Sequence, residues 1–268
     1  MPSVNTPPLQ DRNFDELADK IKARIYGSFK GRLRLDLVKE DFRNHLPELN
    51  TPPLNILDAG GGFAPISIDM ATAGHRITIC DISAAMLERA EKRAHDAGVS
   101  GQIRLIHGPF QSLSETASSA YDLVLGHAVL EWLAAPRQGL THLAACVKPG
   151  GALSLMIYNL HALVFRNALQ GNFRKIMNAA FAGHPRSLTP THPLEPEAVA
   201  RWLDAEALRV CCQTGIRVFT DCLRPEIREA RTYADILALE RRYARINPFA
   251  DMGRYIHFLT RKADAPVT

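Results

Sequence analysis

Residues 54–65, LNILDAGGGFAP, decide the fold class of this chain. An apolar run that ends at Asp58 predicts a buried strand, and the three glycines at 60–62 predict a tight turn into a helix. A second apolar run over residues 76–80 is followed at once by Asp81. A glycine-rich turn after one strand and an acidic residue after the next are typical of nucleotide-binding α/β units, in which the glycines let the ligand approach the backbone and the carboxylate binds a ribose. We therefore expect a cofactor that carries a nucleoside.

The same stretch distinguishes between cofactors. A dinucleotide fingerprint would place the last glycine of G-x-G-x-x-G at position 65, where this chain has Pro65. Pro65 instead suits the first turn of a helix, which we predict over residues 65–73. Asp58, at the end of the strand and just before the turn, is typical of the S-adenosylmethionine site of class I methyltransferases. An S-adenosylmethionine site is therefore favoured over an NAD site, and a strand–helix turn without any ligand is the remaining alternative.

The rest of the chain alternates between strand and helix signals. Seven strands are predicted, over residues 55–58, 76–80, 103–107, 121–126, 152–158, 217–221 and 255–261. Helices are predicted between them, over residues 11–41 with an interruption at 26–28, 65–73, 83–98, 142–147, 195–207 and 232–245. This pattern predicts an α/β fold with a mostly parallel seven-stranded sheet, an antiparallel last strand and helices on both faces.

Chain organisation follows from the same pattern. We expect a disordered N-terminus over residues 1–10 and one domain over residues 11–262. That domain would carry a helical N-terminal extension over 11–50 and an insertion after the fifth strand over 159–194. Residues 263–268 would form a C-terminal tail.

Composition excludes several classes of protein. Of the 268 residues, 46% are hydrophobic and 22% are charged, which is ordinary for a globular protein. No apolar run approaches the ~20 residues that span a bilayer, and the first residues lack the apolar core of a signal peptide. The five cysteines include no Cys-x-x-Cys pair, which argues against zinc and against a disulfide framework. We predict a cytoplasmic protein without metal or membrane partners.

Charge is unevenly distributed along the chain. The net charge is only +4, yet residues 133–194 contain no Asp or Glu. Part of this range is a buried strand, but the insertion over 159–194 is basic, and Arg166, Arg174 and Lys175 are its candidate phosphate ligands. A basic, acid-free surface attracts a polyanion, and chance is the alternative interpretation.

Candidate ligand residues follow the strands, because ligands of such sheets bind at the carboxyl ends of the strands. Phe110 and Gln111 follow the third strand and suit an adenine that is stacked and hydrogen-bonded at its edge. His127 follows the fourth strand, and Tyr158 and His161 follow the fifth.

Several runs of sequence resemble the bacterial tRNA 5-carboxymethoxyuridine methyltransferases, from about Gln10 to Lys262. The specific runs include residues 10–14, 171–173 and 253–257, whereas the glycine turn and Lys-Pro-Gly-Gly at 148–151 occur in class I methyltransferases generally. The resemblance implies a Rossmann-like class I methyltransferase fold. It also implies transfer of a methyl group from S-adenosylmethionine to the carboxylate of 5-carboxymethoxyuridine at the tRNA wobble position, which gives the methyl ester. The partner would be the anticodon arm that carries this nucleoside.

The resemblance also implies roles for individual residues. Arg34 would bind the methionine carboxylate of the cofactor, Asp81 the ribose, and His127 would lie near the sulfonium. The full set of implied cofactor-binding residues is Arg34, Asp58, Gly60, Gly61, Gly62, Asp81, Phe110, Gln111 and His127. One departure stands out, since the family usually carries a further glycine where this chain has Ala64. We interpret alanine there as tolerated.

A carboxylate nucleophile is already deprotonated at neutral pH, so we expect no general base. The non-reacting carboxylate oxygen would be held by a positioning side chain, for which Tyr26, Tyr158 and His161 are candidates. The two tyrosines could instead be core residues with a satisfied hydroxyl, and His161 could instead cap a helix. Arg217 and Arg254 are candidate substrate ligands, although Arg217 could instead form a structural ion pair, and Arg254 could instead bind phosphate or only solvate a turn. Glu131 and Trp132 follow the fourth strand. Glu131 could be a helix-starting acid or a catalytic one, and Trp132 lies beside the predicted site but is more readily interpreted as a packing residue.

Three other functions are compatible with parts of the pattern. A methyltransferase for a free small carboxylic acid would not need the basic insertion. A tRNA-binding protein without catalysis would not need Asp58, Asp81 and the glycine turn. An NAD oxidoreductase is disfavoured by Pro65.

Overall fold

Seven strands form one sheet in the order β3-β2-β1-β4-β5-β7-β6. A computed structural model describes residues 10–17, 28–183 and 188–264 of the chain. The strands are β1 (Asn55–Ala59), β2 (Arg76–Asp81), β3 (Ile103–His107), β4 (Tyr121–His127), β5 (Val147–Tyr158), β6 (Leu208–Ile216) and β7 (Tyr255–Lys262). Neighbours from β3 to β5 are parallel, whereas β7 is antiparallel to both β5 and β6. The predicted fold class, including the antiparallel last strand, is confirmed.

Ten helices of α type cover the sheet within the described residues. They are α1 (Phe29–His45), α2 (Pro65–Thr72), α3 (Ala84–Asp96), α4 (Leu113–Thr116), α5 (Pro136–Cys146), α6 (Leu160–Leu169), α7 (Phe173–Met177), α8 (Pro196–Ala205), α9 (Pro225–Glu229) and α10 (Tyr233–Tyr243). Short 3₁₀ turns lie at Asp15–Leu17, Pro47–Asn50, Ser100–Gln102, Phe110–Ser112, Leu130–Trp132 and Ala250–Met252.

Two apolar clusters form the core, one on each face of the sheet. One contains Leu33 and Leu37 of α1, and the other contains Leu140 and Leu143 of α5. The central strands are buried on both faces, as parallel strands covered by helices must be. This arrangement brings the carboxyl ends of β1, β2, β4 and β5 to one edge, where a switch in strand order opens a crevice.

The prediction of the sixth strand over residues 217–221 is wrong. The strand lies earlier, over Leu208–Ile216, and Arg217 leaves it with φ +63°. The buried carboxylate of Glu240 on α10 then accepts the backbone N–H groups of Val218, Phe219 and Thr220 at 2.8–3.1 Å. Those donors are therefore bound by a side chain and take no part in the sheet.

The N-terminal prediction also needs correction. Residues 11–14 are not helical, the turn Asp15–Leu17 is 3₁₀, and α1 begins only at Phe29, where the Ser28 hydroxyl accepts the Gly31 N–H at 3.1 Å. Residues 1–9, on which most of the predicted disorder falls, lie outside the described residues, as do residues 18–27 and 265–268 of the predicted extension and tail. The insertion over 159–194 contains α6 and α7, and residues 184–187 within it are not described. None of the helices described is long and apolar enough to cross a membrane.

Candidate active site

Asp81 lies at the end of β2 and binds the glycine turn that follows β1. Its Oδ2 accepts the Gly62 N–H at 2.9 Å, and its Oδ1 accepts the Ser83 N–H at 2.8 Å. Burial is the main cause of a raised pKa for this carboxyl group, which the two amide hydrogen bonds partly offset. Each oxygen keeps lone pairs beyond the amide that it accepts, so Asp81 can accept further donors such as a pair of ribose hydroxyls.

The glycine turn is packed so closely that it leaves no space for a side chain at Gly60 or Gly61. A Cβ at Gly60 would lie 2.6 Å from Val129, and one at Gly61 would lie 2.7 Å from the carboxyl carbon of Asp58. Gly60 and Gly62 also have φ values of +64° and +51°. Ala64 adopts the left-handed region too, at φ +46°, although it carries a Cβ. The alanine in place of the family's glycine therefore keeps a glycine-like backbone conformation at an energetic cost.

Asp58 is buried behind this turn. Its Oδ2 accepts the Ser67 hydroxyl of α2 at 2.5 Å. Burial raises the pKa of Asp58 to about 6, the Ser67 hydrogen bond lowers it in part, and the negative charge of Asp81 raises it further. Asp58 thus lies beneath Gly61 and is held by the first turn of α2.

A cleft opens beside Asp81, and we call it the outer cleft. Phe110 and Gln111, the residues predicted to bind adenine, line one side. The N-terminal segment forms the other side. The ring of Phe14 packs edge-on against Trp132 with 4.9 Å between the ring centroids, and the carboxylate of Asp11 accepts a hydrogen bond from the Gln111 side-chain amide at 2.8 Å. The Gln111 carbonyl oxygen remains as the polar group of that side chain for a ligand.

Sequence reasoning missed the part that residues 11–14 play in this cleft. Asp11 also accepts the Ala134 N–H at 2.8 Å, and the Arg12 N–H donates to the Trp132 carbonyl at 3.1 Å. The segment is therefore fixed against the turn after β4. The resemblance over residues 10–14 was the available signal, since a family-specific run outside the sheet points to a contribution to the site.

A second cleft shares Gly60 and Asp81 with the first. We call it the inner cleft. Its walls include Arg34 from α1, His127 from β4, Glu131, Tyr158 from β5 and Tyr255 from β7. Arg34 is 7% exposed, and its guanidinium carbon lies 5.9 Å from the Tyr255 ring.

His127 belongs to a buried chain of hydrogen bonds. Its Nε2 lies 2.7 Å from the Ser154 hydroxyl, which is 2.8 Å from Nε2 of His257, and the Nδ1 of His257 is 2.7 Å from Oδ2 of Asp41. Arg245 donates to Asp41 on the far side. Burial, and then the electrostatic effects of His257 and Arg34, hold the pKa of His127 well below its usual range. His127 is therefore neutral at pH 7.

Glu131 is the least expected group in the inner cleft. It is 1% exposed, and neither carboxyl oxygen has a hydrogen-bond partner in the described part of the chain. Burial raises the pKa of Glu131 to about 8; the nearby backbone N–H groups of Glu131 itself and of Tyr158 and the charge of Arg34 lower it only in part. Glu131 lies in the first turn of the 3₁₀ helix Leu130–Trp132, as expected of a helix-starting acid, but it is buried there, and at pH 7 the side chain is mostly protonated.

A cationic cluster, which we define as Lys30, Arg217 and Arg254, surrounds Asp221. Asp221 contacts Lys30, lies 2.7 Å from Nη2 of Arg217 and lies 3.9 Å from Nε of Arg254. Burial alone would raise the pKa of Asp221, but the charges of Arg217 and Lys30 outweigh it and the pKa is lowered. Three cations thus share one carboxylate, which leaves a net positive charge.

This cluster lies against the tyrosines of the inner cleft and has unused donors. The guanidinium carbon of Arg254 lies 4.7 Å from the Tyr158 ring, and that of Arg217 lies 5.3 Å from the Tyr255 ring. The buried groups without a hydrogen-bond partner among the described residues include the Tyr158 hydroxyl, Nε of Arg217, and Nε and Nη1 of Arg254. Buried donors are normally satisfied, so this concentration of unpaired donors indicates an anion site.

The loop before β7 is positioned by Asn159. Its amide nitrogen donates to the carbonyls of Asp251 at 2.7 Å and Gly253 at 2.8 Å, and its N–H donates to the Arg254 carbonyl at 3.2 Å. Asn159 directly follows β5. Here it sets where Arg254 lies.

The other candidate residues lie elsewhere. His161 has an exposed side chain on the first turn of α6, 3.6 Å from Glu197 and outside both clefts. Arg166, Arg174 and Lys175 lie on α6 and α7, with Arg174 exposed. Tyr26 lies outside the described residues. The described residues contain no group of His, Cys, Asp and Glu side chains that could bind a metal ion.

Comparisons with known proteins are consistent across sequence and fold. The methyltransferase domain family matches residues 57–155. The chain is 41% identical over 254 residues to the tRNA 5-carboxymethoxyuridine methyltransferase of Escherichia coli (strain K12), which covers 95% of this chain and 97% of that protein. It is 30% identical over 142 residues to the ubiquinone biosynthesis O-methyltransferase of Maricaulis maris, covering 52% of this chain and 55% of that protein. The magnesium protoporphyrin IX methyltransferase of Synechocystis, solved with bound SAH, shares the fold with a TM-score of 0.62 at 16% identity, covering 93% of this chain and 96% of that one.

Proposed function

Because the chain belongs to the tRNA 5-carboxymethoxyuridine methyltransferase family, we propose that it methylates the carboxylate of 5-carboxymethoxyuridine in tRNA and forms the methyl ester. S-adenosylmethionine supplies the methyl group, on a positively charged sulfur, when it is bound. The observation that carries the proposal is the set of unpaired cationic donors beside the inner cleft, in a chain of this family.

The residues around Asp81 fit S-adenosylmethionine. The cofactor carries a ribose diol, an adenine and a charged methionine end, and the chain offers a buried carboxylate, an aromatic and amide pair, and a buried arginine for them. We assign the ribose to Asp81 and the adenine to Phe110 and Gln111. The backbone of the glycine turn above Asp58 would contact the cofactor. Arg34 would bind the carboxylate of its methionine end. His127 would form a wall near the sulfur, where its neutral ring adds no charge repulsion.

The cationic cluster would bind the substrate carboxylate. Arg254 and Arg217 have unpaired N–H groups, and the Tyr158 hydroxyl is unpaired beside them. Hydrogen bonds from charged donors contribute about 1.5–3 kcal/mol each, enough to select a carboxylate over a neutral substituent. Glu131, uncharged at neutral pH, avoids repulsion of this anion from within the same cleft.

Catalysis would then consist of positioning and of exclusion of water. The carboxylate needs no general base, since it is already ionised at neutral pH. Holding one of its oxygens leaves the other to react, and alignment of this kind is worth effective molarities of ~10⁵ M or more. The buried walls of the inner cleft would keep water from the negative nucleophile.

The anticodon arm is the part of tRNA that would contact the protein. The basic insertion that carries Arg166, Arg174 and Lys175 directly follows β5 and contains no acidic residue. Phosphate binding there would orient the arm without reading its sequence. A cytoplasmic location follows from this substrate.

Substrate affinity tests the assignment of the cationic cluster. Arg254→Gln should raise the KM for tRNA that carries 5-carboxymethoxyuridine by about 10- to 100-fold, because a charged hydrogen bond is removed. The affinity for S-adenosylmethionine should stay unchanged. Arg209→Gln, at an exposed position of β6, is the matched control. An unchanged KM in Arg254→Gln would contradict the assignment, and activity on small free acids but not on tRNA would point to the other kind of carboxyl methyltransferase.

A further inference from the structure

The segment after β5 exposes four large apolar side chains, which we call the apolar stripe. Phe165 and Leu169 on α6 are 42% and 61% exposed, and Phe173 and Met177 on α7 are 64% and 83% exposed. Each pair lies one helical turn apart and so shares a face of its helix. Apolar side chains concentrated in this way indicate a surface that contacts a partner.

The charges around the apolar stripe restrict what that partner can be. Arg166, Arg174 and Lys175 alternate with the apolar residues along the sequence, and there is no Asp or Glu from residue 133 to residue 194. A purely apolar partner surface would cover these cations without supplying counter-charges, which is costly. Single-stranded nucleic acid supplies both flat apolar bases and phosphates, and aromatic residues interleaved with cations are the usual way to bind it.

The apolar stripe begins next to the inner cleft. Helix α6 starts at Leu160, two residues after Tyr158, and its ten residues extend about 15 Å. Burial raises the pKa of Tyr158 to about 12, and the positive charges of Arg254 and Arg166 act in the opposite direction. Arg166 is therefore close enough to the inner cleft for its positive charge to act on the pKa of Tyr158. A nucleoside in the inner cleft would have its neighbours in the chain near α6.

Resting on the function proposed above, we propose that the apolar stripe stacks unpaired bases of the anticodon loop beside the modified uridine, while Arg166, Arg174 and Lys175 bind the phosphates between them. The wobble nucleoside lies in a loop, so its neighbours are unpaired and present their faces to a protein. Stacking on Phe165 and Phe173 tolerates any base, because every base has a π-face. The stripe would thus select loop structure rather than sequence.

The test separates stacking from charge by means of two sets of variants in the full chain. The first is the double variant Phe165→Ala, Phe173→Ala, and the second is the triple variant Arg166→Ala, Arg174→Ala, Lys175→Ala. For each, the dissociation constant of tRNA carrying 5-carboxymethoxyuridine is measured at several salt concentrations. We expect the double variant to bind tRNA roughly tenfold more weakly or worse, with an unchanged slope of log Kd against log salt. The triple variant should flatten that slope by about 0.7–0.9 for each phosphate that the protein no longer neutralises.

Two controls identify the kind of contact. Phe173→Tyr should keep wild-type affinity, since the aromatic face remains, whereas Phe173→Leu should lose it although it stays apolar. Leu239→Ala and Ile246→Ala, which truncate exposed apolar residues outside α6 and α7, should leave tRNA affinity unchanged. Affinity for S-adenosylmethionine should be unaltered in every variant.

The outcomes separate this inference from the proposed function. If the wild-type protein methylates the modified tRNA but the Phe165/Phe173 double variant binds it as tightly, the stacking inference is wrong and the proposed function stands. If the wild-type protein sediments as a dimer that the double variant disrupts without loss of tRNA affinity, the stripe is a contact between copies of the chain and the inference is also wrong. Failure of the wild type to methylate any tRNA would instead overturn the proposed function.

Discussion

Glu131→Gln should make the protein more stable at alkaline pH, by an amount that the burial of this side chain sets. In the folded protein the pKa of Glu131 is raised from 4.5 to about 8 by burial, and the carboxyl group has no hydrogen-bond partner among the described residues. The folded state therefore keeps a proton that the unfolded state releases above pH 4.5. The stability that this proton confers is complete below that pH and is lost as the pH rises towards 8.

The magnitude follows from the two pKa values. Each unit of pH between them costs about 1.4 kcal/mol, so the loss is about 1 kcal/mol at pH 5 and about 4 kcal/mol at pH 8. Glutamine has nearly the same shape and does not titrate, so Glu131→Gln avoids the loss. The free energy of unfolding of the variant should therefore exceed that of the wild type by a gap that grows by about 3 kcal/mol from pH 5 to pH 8.

Urea denaturation of both proteins at pH 5 and pH 8 measures this gap. Glu88→Gln removes a carboxyl group from an exposed position on α3 and corrects for the general effect of net charge. The same variants also report on function, since an ionised Glu131 would repel the substrate carboxylate. The KM of the wild type for modified tRNA should rise above pH 8, and that of Glu131→Gln should not. A stability gap that does not change with pH would refute the reasoning from burial.

Three further substitutions test the turn, the cofactor site and the buried chain. Ala64→Gly should change the free energy of unfolding by less than about 1 kcal/mol, because relief of the left-handed backbone conformation offsets the loss of the methyl group. The control Ala90→Gly, within α3, should lower the free energy of unfolding by about 1–2 kcal/mol. Equal losses in the two variants would contradict backbone strain at Ala64. Asp81→Asn should weaken binding of S-adenosylmethionine about tenfold or more in a calorimetric titration. An unchanged affinity would contradict the assignment of the ribose to Asp81. Ser154→Ala should destabilise the protein by about 1–3 kcal/mol in thermal unfolding, because it leaves buried ring nitrogens of His127 and His257 without a hydrogen-bond partner. An unchanged stability would mean that these hydrogen bonds do not stabilise the folded protein.

Much of the sheet is predictable from local sequence, and the exception has a specific cause. Strands β1 to β5 and β7 contain apolar runs, so their positions agree closely with the predictions, except that β5 begins at Val147, before the predicted start at residue 152. Residues 217–221 have a β-like composition, but Glu240, about twenty residues further on, binds their amides. A contact made by another helix therefore overrides a local preference, and nothing within the five residues signals it.

The candidate site likewise has one part that local sequence predicts and one part that it does not. Asp58, the glycine turn and Asp81 form a short local motif and can be predicted from spacing. The inner cleft instead combines Arg34 of α1, Glu131, Tyr158 of β5 and Tyr255 of β7, which come together only through the strand order. The burial of Glu131 depends on several elements at once, and a lone glutamate in a sequence is far more often exposed. The resemblance supplied Arg34, which spacing alone did not.

The most direct test of the proposed function is methyl transfer to defined tRNA. The purified protein is incubated with labelled S-adenosylmethionine and with tRNA that carries or lacks 5-carboxymethoxyuridine, and the nucleosides are analysed by mass spectrometry. We expect one methyl group to be gained on 5-carboxymethoxyuridine alone, and mild alkali to remove it, as it removes an ester. Cofactor binding without transfer to either tRNA, or a methyl group that resists alkali, would contradict carboxyl methylation of this nucleoside.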